Sequence, residues 1–253
     1  MESNAIIQDV NGPCRMPNTD HDLYIHKQTR REYRERLAAN EIKCVILPIA
    51  AIEQHLEHMA MEHDWRSVNV IAKGVAEQLR PHVVIAQGVM AGVSEHHMRH
   101  PGTLTLSPGT FLSVVNDLID SIVRTGVTNV LVLNGHGGNI EPMRLAWDQF
   151  LRRYQVNLQF LPYWDVLTDA DAELLATQDI PGHAQEFETA FALAEFPENV
   201  RQAALNDQTD PTPGKATAEA GRELIDRVVD RVSTFVNEMI DGKRVAEVPD
   251  FHP

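Results

Sequence analysis

The stretch CVILPIA, Cys44 to Ala50, decides the fold class. It is short, apolar and rich in β-branched residues, as expected of a strand buried on both faces. Segments of similar character return at His82 to Ala86, Thr128 to Leu133 and Asn157 to Leu161. Helical patterns fill the gaps, over Trp65 to Leu79, Pro108 to Thr125 and about Glu141 to Tyr154. Strands and helices alternating at these lengths predict parallel βαβ units with helices on both faces, an α/β fold.

Outside this alternation, residues 1–20 mix Pro, Asn, Gly and Asp without periodicity and read as an irregular leader. Thr29 to Glu41 carries strong helix formers with few apolar residues, which predicts a mostly exposed helix. Thr217 to Ile240 places Ala220, Leu224, Ile225, Val228, Val229 and Val232 at helical spacing, the mark of a packing helix. With no internal repeat and no linker beyond the Pro211 to Gly214 loop, residues 1–253 read as one domain.

Charge and composition narrow the function. A net charge of −14 with no run of Lys and Arg opposes binding to nucleic acid or to an anionic membrane, leaving small-molecule or protein partners, of which a small-molecule substrate is expected. The chain shows no signal-like start and no segment near the roughly 20 apolar residues of a membrane span. A soluble, cytoplasmic protein is expected. Cys14 and Cys44 are too few for a disulfide framework or a thiolate zinc site. Any metal must then be held by nitrogen and oxygen, which points to zinc, manganese or iron.

Eight of the twelve histidines fall in four short segments at strand ends or loops. In IEQHLEHMAMEHD, Ile52 to Asp64, Glu53 and His55 leave the first strand two residues apart, so both side chains can turn to one side. Asp64 returns at the start of the next helix, where it can bridge two cations or simply cap the helix. In VLVLNGHGGN, Val130 to Asn139, a strand runs into three glycines around His136. That loop is neither a GxGxxG run nor a phosphate loop with a lysine, and its lone histidine fits metal coordination better. Both loops leave carboxyl ends of parallel strands, so His136 can meet Glu53, His55 and Asp64. In GVSEHHMRHPGTLTL, Gly92 to Leu106, His97 is the histidine best suited to substrate contact. In PGHAQEFETAFALAEF, Pro181 to Phe196, His183 precedes a helix carrying Glu188; each is either an ordinary residue of the helix start or, for His183, a proton carrier.

Together these segments resemble the creatininase (creatinine amidohydrolase) family. The resemblance rests on Glu53-Gln54-His55 with His58 and with Asp64 eleven residues after the glutamate, on His97 with Pro101-Gly102-Thr103, on Asn134-Gly135-His136-Gly137-Gly138-Asn139, and on His183 with Glu188. It implies a three-layer α/β/α fold with a mainly parallel central sheet, a homo-oligomer, commonly a hexamer, and a centre of one or two divalent ions (Zn, Mn or Fe). On that carry-over Glu53, Asp64 and His136 bind one metal, and His55 and Asp64 the second. A glutamate that completes the second site in creatininase is replaced here by Gly138, and Glu188 is the expected substitute. Trp164 stands for one of two tryptophans that enclose creatinine, with Asp179 in place of the other, and His97, Trp164, Gly137 and Gly138 are expected to contact substrate.

The implied chemistry is hydrolysis, with a metal-activated water attacking the carbonyl of a small cyclic amide or amide-like molecule while His183 serves the leaving group. Glu57, His96, His100 and Asp179 are expected to make the pocket polar, against creatinine itself. A ring-opening hydrolase of a cyclic polyol ketone, of the 3-dehydro-scyllo-inosose hydrolase type, is the alternative. A formamide deformylase and a non-catalytic metal-binding protein are the remaining readings.

Overall fold

Four strands form one parallel sheet: β1 (Cys44–Ile49), β2 (Val83–Ile85), β3 (Asn129–Asn134) and β4 (Asn157–Pro162), in the order β2-β1-β3-β4. This is seen in a computed structural model, which describes residues 20–250. The expected leader therefore lies outside the described residues except for Asp20, which opens a short 3-10 turn. Every residue of β1 is buried. Its side chains alternate: Cys44 and Ile46 enter one apolar cluster, Val45, Leu47 and Ile49 the other. Pro48 costs the sheet little, because its carbonyl accepts from Val89 N at 3.1 Å beyond the point where β2 has ended.

Helices cover both faces, as the strand pattern predicted. α2 (His63–Gln78), α6 (Glu186–Glu195) and α7 (Ala218–Ile240) pack with Ile46, Leu131 and Leu133. α3 (Pro108–Val123) and α4 (Ile140–Arg153) pack with Val45, Leu47, Val130 and Val132. The result is the expected three-layer α/β/α arrangement. α7 buries Leu224, Ile225, Val228, Val229 and Val232, the stripe read from the sequence. α1 (Arg30–Ala38) buries no residue and is fixed at its start by a capping box between Thr29 and Glu32. One further short helix, α5 (Asp169–Ala172), had no counterpart in the sequence reading.

One boundary matters for function. α2 begins at His63, two residues before the expected start at Trp65, so Asp64 lies within its first turn. Because all strands run parallel, the segments after β1, β3 and β4 emerge at one edge of the sheet, where such folds bind ligands. No helix among the described residues is long and apolar enough to cross a membrane.

Candidate metal centre

The two oxygens of Asp64 divide between two imidazoles. Oδ1 lies 3.1 Å from His55 Nε2 and Oδ2 2.8 Å from His136 Nδ1. On the His136 side, Glu53 Oε1 is 3.4 Å from the same Nδ1. On the His55 side, Glu188 Oε2 is 3.6 Å from the same Nε2. The far nitrogen of each ring is already committed: His55 Nδ1 donates to the Glu53 carbonyl at 3.0 Å, and His136 Nε2 donates to the Val93 carbonyl at 3.0 Å. That fixes the orientation of both rings and turns their other nitrogens toward the carboxylates, the usual outer support of a metal-binding histidine. Glu53 is held in turn by the Ser94 hydroxyl, and Glu188 by the backbone N–H of Ala184. All five side chains are buried.

Three buried carboxylates in one cluster need positive charge, yet among the described residues no Lys or Arg lines the adjoining cavity. Protons supply it. Burial pulls His136 down, but hydrogen bonds to Asp64 and Glu53 outweigh this and hold it at about 10. Burial likewise opposes the rise of His55 to about 9, which the Asp64 charge sustains. Asp64 is driven well below the usual carboxylate range by these imidazoles, in spite of burial. Glu188, pushed up by burial to about 8, is the carboxylate least compensated. A divalent ion held here would supply the positive charge in place of those protons, and an all-oxygen-and-nitrogen set of three carboxylates and two imidazoles is a set that zinc, manganese or iron accepts. The residues fit the ion that the motifs implied.

A cavity of ≈270 Å³ opens onto this cluster. His97, His183, Trp164, Gly137 and Gly138 line it, as expected, and His96 joins them. Three other expectations fail: Glu57, His100 and Asp179 do not line the cavity, and Glu57 and Asp179 are exposed. His58, part of the motif match, binds Thr189 Oγ1 at 2.9 Å and faces away from the cavity, tying its loop to α6.

Sequence reasoning also missed Gln54. Its Oε1 accepts from Leu56 N at 3.0 Å, which orients the amide. The NH₂ group must then donate to both His97 Nδ1, at 2.9 Å, and His183 Nε2, at 2.8 Å. Each ring therefore carries its proton on the opposite nitrogen, and those nitrogens face Glu53 Oε1, at 3.9 Å from His97 Nε2 and 3.5 Å from His183 Nδ1. Burial, reinforced by the nearby His55, lowers His183 to about 4. His183 is thus a neutral ring with a fixed donor toward the site.

Gly138 is a packing requirement here. A Cβ at this position would stand 2.1 Å from the Val93 carbonyl oxygen, 2.6 Å from His136 Nε2 and 2.9 Å from His96 Cε1. Gly138→Ala must therefore displace the carbonyl that orients His136. We expect a loss of about 1–3 kcal/mol in a thermal or denaturant melt. Metal affinity should fall roughly 10- to 100-fold, read by competition with a chromophoric chelator.

Comparison with known proteins identifies the family. The profile of the creatininase family, creatinine amidohydrolase, matches residues 26–214. Creatinine amidohydrolase of Pseudomonas putida is 30% identical over 197 residues, covering 70% of this chain and 74% of that protein. The 3-dehydro-scyllo-inosose hydrolase of Thermotoga maritima is 27% identical over 190 residues, 71% of this chain and 58% of that longer protein. A crystal structure of creatinine amidohydrolase (creatininase) superposes with a TM-score of 0.73 at 25% identity, covering 85% of this chain and 97% of that one. A profile match over most of the chain, a relative 30% identical over most of both chains and a shared fold lead to one assignment: the chain belongs to the creatininase family of metal-dependent hydrolases.

Proposed function

We propose that the chain hydrolyses the bond between a carbonyl carbon and its leaving atom in a small, uncharged polar molecule, most simply a cyclic amide or amide-like compound, with one or two divalent ions bound at Glu53, His55, Asp64, His136 and Glu188. The observation that carries this reading is Asp64, whose two oxygens each meet a different imidazole at the floor of the cavity. When bound, a divalent ion at such a site lowers the pKa of a coordinated water toward neutrality and polarises a carbonyl oxygen.

The chain's own residues supply position and hydrogen bonds. His183 holds its proton at Nδ1 and offers it to the oxygen or nitrogen that gains negative charge, with Gln54 preventing the ring from turning over. His97 presents Nε2–H from the neighbouring turn in the same way. Trp164 forms an apolar wall, and at Gly137 no atom lies within 4 Å of where a Cβ would stand, so that wall leaves room for substrate. The absence of Lys and Arg among the described lining residues disfavours a phosphate-bearing formamide.

The second reading is hydrolytic opening of a cyclic polyol ketone. His96, His97 and His183 on the cavity wall favour it, since they offer hydrogen bonds to hydroxyl groups that creatinine lacks. A screen of metal-reconstituted protein against creatinine, small lactams, formamides and cyclic polyol ketones decides between the two. Turnover of one class, lost on chelation and restored by zinc or manganese, is the expected result. Protein that carries no zinc, manganese or iron and keeps full stability after chelation would refute the metallohydrolase reading altogether.

A further inference from the structure

His63 stands beside the cluster and has no part in the ligand set that the motifs imply. It is fully buried on the first turn of α2, directly before Asp64. Its ring lies 5.1 Å from that of His55 and is backed by Phe196 at 5.6 Å. Its Nε2 is 4.0 Å from Glu188 Oε1.

The hydrogen bonding of this ring is incomplete. Ser67 Oγ lies 3.1 Å from Nε2, but the Ser67 hydroxyl proton goes to the carbonyl of His63 at 2.8 Å. Ser67 therefore gives the ring no proton, and His63 Nδ1 has no hydrogen-bond partner among the described residues, so whichever nitrogen carries the ring proton, the lone pair of the other has no donor. Buried polar atoms are nearly always paired, so a buried imidazole whose lone pair has no donor, with Nε2 4.0 Å from Glu188 Oε1, calls for a partner that accepts a lone pair. A cation is such a partner.

Distances support this. One ligand atom from each of His55, His63 and Glu188 can be chosen so that all lie within 4.8 Å of one another, and all three residues are buried. The separations of 3.6 Å between His55 Nε2 and Glu188 Oε2 and 4.0 Å between His63 Nε2 and Glu188 Oε1 are too long for hydrogen bonds. They approach the spacing of about 3.4 Å between ligands that share a tetrahedral ion bound at about 2.1 Å. The carboxylate that completes the second site in creatininase cannot be placed at residue 138, where any Cβ collides with the Val93 carbonyl.

We propose that His63, together with His55 and Glu188, holds the second divalent ion of this protein, an added imidazole beside the Glu188 carboxylate that stands in for the one missing at Gly138. The proposal rests on the metal-hydrolase reading above and is separable from it.

The test uses the full-length chain, stripped of metal and titrated with Zn²⁺ against a chelator, with bound zinc counted by mass spectrometry. The wild type is expected to take two zinc ions. His63→Val is expected to keep one at unchanged affinity and to bind the second at least about 100-fold more weakly. If His63→Val binds both ions as the wild type does, the proposal falls. A wild type that binds one ion also overturns it but leaves the metal-hydrolase reading intact, whereas a wild type that binds none overturns both. Should His63→Val fail to fold, zinc-edge X-ray absorption on the wild type still decides. About 1.5 imidazoles per zinc fits His55, His63 and His136 shared by two ions; about 1 excludes His63.

Discussion

Asp64→Asn should remove bound metal and turnover together. The amide matches the carboxylate in shape, so the first turn of α2 and its packing are retained. What disappears is the negative charge at the point where His55 and His136 meet, at 3.1 and 2.8 Å. With that charge gone, the two imidazoles lose the main support for their raised pKa values of about 9 and about 10. They can then shed their protons and stay buried as neutral rings, so the variant folds. A neutral amide oxygen cannot bridge two dications, and Glu53 and Glu188 lie on opposite sides of the lost carboxylate, one beside His136 and the other beside His55. We expect kcat to fall on the order of 10³-fold or more, with metal content reduced to a trace. Metal analysis on the same preparation as the kinetics provides the check. Retention of both metal and activity would remove Asp64 from the centre of the scheme.

That Asp64 stands there at all was legible in the sequence for a simple reason. CVILPIA could only be a doubly buried strand, and once β1 and β3 run parallel their carboxyl ends bring Glu53, His55 and His136 to one edge. Side chains further from the strand ends were less legible. Glu57 was expected in the pocket, but Leu56 adopts φ 55° within the tight turn that pairs His55 with Met59, and the chain carries Glu57 out to solvent. Gln54 stands between Glu53 and His55, the pair that the two-residue alternation selects, and was passed over for that reason. Its role depends on residues 43 and 129 positions away, a distance no local pattern spans. His63 was passed over because a histidine before a helix is ordinary on its own, and only its burial and unpaired nitrogen set it apart. Gly138 was read as the loss of a ligand, whereas its backbone packs too closely on Val93 for any side chain.

His183→Ala should separate chemistry from metal binding. The His183 ring is only partly buried and lies 3.5 Å from Glu53 Oε1 through Nδ1, so its removal leaves His55, Asp64, His136 and Glu188 with their own supports intact. Metal content is expected to match the wild type. Turnover is expected to fall about 10²- to 10⁴-fold, the range for a positioned proton donor or acceptor. The pH behaviour gives a second handle. Burial and the neighbouring His55 hold His183 at about 4, so near neutrality the resting ring is uncharged and donates through Nδ1 only. The Nδ1–H hydrogen bond strengthens when negative charge develops beside it, which places its contribution in the transition state. The loss should therefore appear in kcat, with KM little changed. Gln54→Ala, which frees both His183 and His97 from the shared amide, should reproduce part of that fall with the imidazole still present. Equal turnover in His183→Ala and wild type would show that the leaving group takes its proton elsewhere, and His97, whose Nε2 sits 3.9 Å from the same glutamate oxygen, would be the next residue to replace.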